Sequence, residues 1–191
     1  APDAHGADGD VLAHRQRGDR ILEQEQAHCG ERDGRIVPGF DLGNSPAEYT
    51  RERVRGATLA FASTNGSRAM LAASRCRRRL LGSFANLTAI TDGLAGEADV
   101  WLVCAGKLGR FALEDATCAG TLAWRLRAQG ATLADDAARM CATLAVTTTA
   151  EARDAVQHAD HGRWLTSLGE SFAADVEFAA TLDHVREATN W

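Results

Sequence analysis

The residues of this 191-residue chain that are able to do chemistry sit at glycine-rich turns. The densest group is Trp101 to Gly120, WLVCAGKLGRFALEDATCAG. Gly106 and Gly109 bracket a loop, and the acidic pair Glu114 and Asp115 opens a helical pattern directly after it. A helix start gathers free N–H groups and a partial positive charge, so this turn suits an anion. In open α/β sheets ligands collect outside the carboxyl ends of the strands, where such a loop lies. Cys104 admits two readings, a thiol nucleophile or a small residue packed at a strand end.

Two further turns repeat the design. Ser63-Thr64-Asn65-Gly66-Ser67-Arg68 offers hydroxyls and backbone N–H groups, and Asn65-Gly66 is expected to supply the positive φ that turns several N–H groups toward one anion. It is not a Walker loop, because GxxxxGK[ST] is absent. Gly82-Ser83-Phe84-Ala85-Asn86 delivers Ser83 and Asn86 beside another helix start. The long irregular stretch from Gly30 to Pro46 carries Glu31 and Asp41. Either these serve a metal or orient a substrate, or Asp41 and Asn44 hydrogen-bond their own turn. His161, before Gly162 and an apolar helical turn, reads as a cap, a surface residue or a catalyst.

The elements that must position these groups follow from periodicity. Val100 to Cys104, Thr58 to Ala62 and Leu80-Leu81 read as buried or short strands, each running into one of the turns. Helices are expected over 69–74, from Asn86 to about Leu94, over 133–146 and over 150–158, and Asp175 to Ala179 is expected as a last strand. The helix after Glu114 places Ala116, Ala119, Ala123 and Leu126 on one face. Adjacent helical residues point about 100° apart, which puts Asp115 at the margin of that face and Glu114 on the far side. Repeated strand–turn–helix units predict an α/β fold with a mostly parallel sheet. Residues 1–29 differ: four Asp, three His and three Arg surround apolar residues without a period, which predicts a poorly ordered leader before one domain over 30–191. The His and Asp spacing there fits no metal site.

Bulk composition excludes several classes. Hydrophobic residues at 45% and charged residues at 25% describe a soluble globule. A net charge of −5 argues against a nucleic-acid binder, and Arg75 to Arg79 reads as a solvated basic patch able to steer an anionic substrate. No apolar run approaches membrane-spanning length, and no apolar signal-peptide core opens the chain. Five cysteines without a CxxC pair indicate reduced thiols and a cytoplasmic location. A nucleotide-binding oxidoreductase lacks its GxGxxG.

Taken in order, GFDLGNSP, STNGS, GSFAN, CAGKLGRFALEDATCAG and HGRWLTSLGESFAADV resemble the 2-phosphosulfolactate phosphatase family from about Gly30 to Asp183. The resemblance implies a three-layer α/β/α fold and magnesium-dependent hydrolysis of the phosphate ester of a small 2-hydroxy carboxylate, a step of coenzyme M biosynthesis. On it, Asp115, Asp41 and Glu31 are expected to contact Mg2+. Asn65, Gly66, Ser67, Ser83, Asn86 and Gly106 are expected to cradle phosphate or the substrate carboxylate, and Asp115, Asp41, His161 and Cys104 to take part in catalysis. The partner is then a small anionic phosphate ester, with a homo-oligomer left open. Lys107 stands where the family usually has Thr, and Asp10-Val11-Leu12 is a faint counterpart of an apolar strand that opens the family pattern. That difference leads to the expectation of weak or absent activity in the chain as written. The alternative function is an anion-binding module of the same fold that has lost catalysis.

Overall fold

A computed structural model describes residues 26–32 and 34–190. The protein is mixed α/β, and its chain divides into two compact units. Residues 1–25 of the expected leader, with Asp10-Val11-Leu12, lie outside the described residues.

The first unit holds β1 (Gln26–Arg32), β2 (Arg35–Ile36), the short helix α1 (Arg51–Val54) and β3 (Thr58–Ala62). The three strands form one sheet in the order β2-β1-β3, antiparallel between β1 and β2 and parallel between β1 and β3. Strand β3 has the bounds its apolar run predicts. It is not buried, however: Leu59 and Phe61 are exposed. Strand β1 departs from the sequence reading, because it starts inside the stretch assigned to a leader. Ala27 and Cys29 alternate inward and pack with Leu42, Tyr49 and Val54, so two small residues at period two suffice where no longer apolar run exists.

The second unit carries α2 (Gly66–Ala72), β4 (Leu80–Leu81), α3 (Leu87–Gly93), α4 (Leu113–Ala128), α5 (Asp136–Ala142), α6 (Thr149–His158), α7 (Asp160–Ser167), α8 (Glu170–Ala179) and β5 (Thr189–Asn190). Its core joins Phe84, Leu87, Ile90, Leu122, Val146, Ala152, Val156, Val176 and Ala180. Strands β4 and β5 pair antiparallel. Three expectations are corrected here. Val100 to Cys104 belongs to no ladder: Leu102 packs against the core while Trp101 and Val103 are exposed. Asp175 to Ala179 is the end of α8 and not a strand, since Val176 and Ala180 are buried at the i, i+4 spacing of a helix. Helix α5 is shorter than its periodicity suggests. Asp135 caps it by accepting the Ala138 N–H at 2.7 Å, and the chain then leaves it so that Val146 donates to Thr121 Oγ1.

Helix α4 is the axis of the second unit. Ala116, Ala123 and Leu126 are buried as their spacing predicts, joined by Thr117, Gly120, Thr121 and Leu122. Thr121 satisfies its position inside by donating its Oγ1 hydroxyl to the Thr117 carbonyl at 2.8 Å. Gly120 lets α5 approach: a Cβ there would overlap the Cys141 carbonyl. Among the described residues no helix is long and apolar enough to cross a membrane.

Candidate active site

The glycine loop expected to bind an anion is a two-residue hairpin. Lys107 and Arg110 exchange both backbone hydrogen bonds, at 3.1 and 3.0 Å, and the turn between them is Leu108-Gly109. Both turn residues have positive φ, 53° at Leu108 and 75° at Gly109, the signature of a type I′ turn. Gly106, just before the hairpin, also has a positive φ of 66°, and a Cβ there would lie 2.6 Å from the Arg110 carbonyl. The loop is therefore rigid and specific to this sequence.

Helix α4 begins directly after the loop, and its first turn holds both acids. Asp115 reaches back, and its Oδ2 accepts the Gly106 N–H at 2.6 Å, with the Ala105 N–H also directed at the carboxylate. Two consecutive loop N–H groups thus hold an acidic side chain of the same chain. Burial pushes the Asp115 carboxyl above its ordinary value and the Glu114 charge adds to this; the two N–H groups and the His161 charge offset it only in part.

Glu114 corrects the expectation that it faces away. It is half-buried, and its Oε1 lies 3.5 Å from His161 Nδ1. Burial acts against its charge, but the His161 imidazole, the Glu114 N–H and the Lys107 ammonium outweigh burial and hold the carboxyl below the ordinary range. His161 lies in the first turn of α7 and stacks on Trp164, with ring centroids 5.5 Å apart. Gly162 allows this placement, since a Cβ there would overlap the Val156 carbonyl of α6. Lys107 Nζ sits 4.5 Å from the centre of the Trp164 ring. Lys107 and Trp164 were not singled out as site residues by sequence reasoning; a lysine within the glycine loop and a tryptophan one turn after His161 were the available signals.

Asn65 binds the same loop from α2. Its Oδ1 accepts the Leu108 N–H at 2.9 Å, which satisfies a donor next to a strained backbone position. The expected positive φ at Asn65-Gly66 is not found: Asn65 is the N-cap of α2 at φ −108°, and Gly66 is already helical. Glycine is needed there for space, because a Cβ would lie 2.8 Å from Ser63 Oγ. Ser67 bonds reciprocally with Ser63, accepting its N–H at 3.1 Å and donating its own N–H to Ser63 Oγ at 3.2 Å.

Ser83 and Asn86 serve the frame. Asn86 is buried, its Oδ1 accepts the Ser83 N–H at 2.9 Å, and its Nδ2 donates to the carbonyls of Leu81 and Glu187. Those bonds tie the end of β4 to the segment before β5, so its side chain is used by the fold. Cys104 lies at the other side of the loop and lines, with Ala105, Gly106, Arg110, Phe111 and Met140, a cleft of about 460 Å³. Cys104 is exposed as a residue, but partial desolvation in the cleft, with the Asp115 and Cys141 charges, pushes its thiol up to about 11. A thiol held there stays protonated near neutrality and is a poor nucleophile.

In the first unit, Asp41 Oδ2 accepts the His28 N–H at 3.0 Å, and Asp41 N–H donates to the His28 carbonyl at 2.8 Å, so this residue fastens its loop to β1. Glu31 Oε2 accepts the Gly34 N–H at 2.9 Å across the β1–β2 turn. The side-chain bond of Asp41 thus runs to His28 of β1, 13 residues away, and not within its own turn. Among the described residues, no three His, Cys, Asp or Glu side chains converge as a metal cage.

The family model described as 2-phosphosulpholactate phosphatase matches residues 10–188. Among curated proteins, the chain is 38% identical over 155 residues to the probable 2-phosphosulfolactate phosphatase of Thermotoga petrophila, covering 81% of this chain and 66% of that protein. It is 37% identical over 159 residues to the one of Synechococcus sp. strain JA-3-3Ab, covering 82% and 66%. With the probable 2-phosphosulfolactate phosphatase of Deinococcus radiodurans it shares 37% over 161 residues, covering 83% and 66%. The match thus spans just under two thirds of each relative's length, 66%. On the family match and these identities, the chain belongs to the 2-phosphosulpholactate phosphatase family.

Proposed function

We propose that this chain hydrolyses the phosphate ester of a small 2-hydroxy carboxylate such as 2-phosphosulfolactate, giving the free hydroxy acid and phosphate. The relatives carry that activity in their names. The observation that carries it to this chain is the convergence of Asp115, Glu114, His161 and Lys107 on one glycine loop. Phosphoryl transfer asks a protein mainly for positioning and for stabilising charge. Here a preorganised loop, an imidazole and an ammonium stand within one electrostatic neighbourhood. Asn65 and Gly106 fix the loop, Gly66 and Ser67 shape the turn that presents Asn65, and the cleft beside Cys104 offers room for the organic part of the ester.

The donor set fits magnesium. This cation binds through one or two carboxylates together with water and substrate phosphate oxygens, and does not require an all-protein cage. Asp115 is a half-buried carboxylate whose neighbours leave its charge under-compensated, which a hard dication would relieve. Asp115 would hold the ion. Bound magnesium would neutralise phosphate charge and polarise the phosphorus–oxygen bonds. A three-layer α/β/α arrangement with a mostly parallel sheet, a cytoplasmic location, a homo-oligomeric assembly and a place in coenzyme M biosynthesis are parts of the same proposal.

Phosphate release from 2-phosphosulfolactate and 2-phospholactate, with magnesium and after exhaustive chelation, tests this reading. Release that needs magnesium is expected; release unchanged by chelation overturns the metal, and none under either condition overturns the activity. An anion-binding module without turnover is the second reading. Binding of the ester by calorimetry without release of phosphate would establish it.

A further inference from the structure

We infer that Glu114 and His161 form a proton-delivery pair, in which Glu114 positions the imidazole and His161 Nε2 protonates the oxygen that leaves phosphorus. The inference rests on the phosphatase reading and assigns a step within it.

Three observations carry it. Glu114 Oε1 faces Nδ1 of the ring at 3.5 Å, which leaves Nε2 as the nitrogen directed elsewhere. Pairs of this kind lengthen in the absence of substrate and tighten with it. Trp164 stacks on the imidazole and fixes the ring plane, so the pair is held from two sides. Lys107 of the glycine loop places its Nζ 4.5 Å from the centre of the same Trp164 ring, which puts the stacked pair beside the loop. Side chains of α4 and α7 therefore meet next to the Lys107 side chain of the loop.

The chemistry asks for such a group. The hydroxyl of a 2-hydroxy acid is a poor leaving group as alkoxide, so proton transfer to it in the transition state lowers the barrier. The phosphorus–oxygen bond to the hydroxy acid breaks as a water oxygen bonds to phosphorus. The leaving oxygen takes the Nε2 proton and becomes the alcohol. The attacking water gives up one proton, which restores the imidazole through solvent, and inorganic phosphate departs. Protons balance, and the carboxylate of Glu114 stabilises the imidazolium before transfer without itself moving.

The test compares 2-phospholactate with its analogue carrying sulfur in place of the bridging oxygen. A thiolate leaves without a proton, so a variant lacking the acid should be rescued by it. His161→Asn is expected to lower kcat on the oxygen ester by about 10²–10⁴-fold with little change in KM, the usual span for general acid catalysis. On the sulfur ester its loss should be less than about tenfold. His161→Phe keeps a ring against Trp164 and should behave like His161→Asn, which separates proton transfer from stacking. Glu114→Gln should show the same pattern with a smaller loss, and Glu114→Asp should restore part of it. Equal losses on both esters, or no loss on either, overturn the pair. A wild-type chain that releases phosphate from neither ester overturns the phosphatase reading itself, an outcome distinct from the first two.

Discussion

Asp115 accepts the Gly106 N–H at 2.6 Å, so the first turn of α4 closes the loop that precedes it. The backbone donors that such a loop would offer to an outside anion are thereby ordered by a carboxylate of the same chain. The arrangement spends negative charge inside a partly buried pocket, and its consequences depend on pH.

The Asp115 carboxyl is held above its ordinary value, burial being the main cause. A group raised in the fold contributes stability below its unfolded value and loses that contribution as pH rises through the folded value. Ionised Asp115 is therefore carried at a cost to the fold. Asp115→Asn should keep the fold and lose turnover. As pH falls from neutral toward the ordinary value of 3.8, the wild type should gain melting temperature relative to the variant. Calorimetric melts across that range check this, and a gap that stays constant with pH contradicts it.

The second expectation concerns Asn65, the anchor of the hairpin tip. Leu108 stands at φ 53°, a conformation that costs a branched side chain roughly 1–2 kcal/mol. Asn65→Ala removes the acceptor of its N–H, and because Leu108 is exposed, water replaces the bond. Stability should fall by no more than about 1 kcal/mol, while kcat/KM falls more steeply because the loop is no longer fixed. Leu108→Gly relieves the backbone and should raise stability. A melting temperature that drops in Leu108→Gly speaks against strain at this turn.

Local signals account for what was legible. Strand β3 stands out because five residues, TLAFA, are bounded by Gly56 and the Asn65-Gly66 turn. Helix α4 stands out because small residues recur at three and four over 16 residues. The C-terminal Asp175 to Ala179 was misread because a short apolar run fits strand and helix alike. Strand β1 was missed because only Ala27 and Cys29 face inward, between Gln26 and His28. For the site, the glycine loop and Asp115 were readable from spacing. The Glu114–His161 pair was not, since it depends on how α4 and α7 come together, which local periodicity does not encode.

Gly120 sits inside α4, where alanine would ordinarily gain up to about 1 kcal/mol in helix propensity. Here the Cβ would overlap the Cys141 carbonyl of α5. Forcing two packed helices apart costs about 1–3 kcal/mol, which exceeds the gain. Gly120→Ala should therefore melt lower than the wild type, and the cleft lined by Cys104 and Cys141 should change shape with it. A higher melting temperature would mean that α5 shifts without cost.

The last prediction concerns Asp183, which ties the end of the chain to α3. Its Oδ1 accepts the Thr88 N–H at 2.6 Å and its Oδ2 accepts from Arg125 at 2.8 Å, while Arg125 also donates to Thr88 Oγ1 at 3.0 Å. The backbone of the same turn adds Asp183 N–H to the Phe84 carbonyl and Val185 N–H to the Ala85 carbonyl. Asp183 thus caps α3 through Thr88, which lies 95 residues earlier in the chain. Burial acts against its charge, but the Thr88 and Arg125 bonds prevail and hold the carboxyl below its ordinary value. A lowered carboxyl contributes stability above its unfolded value, and that contribution is lost as pH falls through the folded one. Asp183→Asn keeps the size and tolerates the φ of 52° but removes the charge. It should cost about 0.5–2 kcal/mol at neutral pH, as for loss of a helix cap. The cost should shrink once pH drops below the ordinary value of 3.8. Arg125→Met should cost less, because the pair is partly open to water, with side chains 22% and 28% exposed. Urea unfolding of the three proteins at neutral and acidic pH separates these effects. A difference between wild type and Asp183→Asn that persists unchanged in acid would show that geometry, and not charge, is what Asp183 supplies to α3.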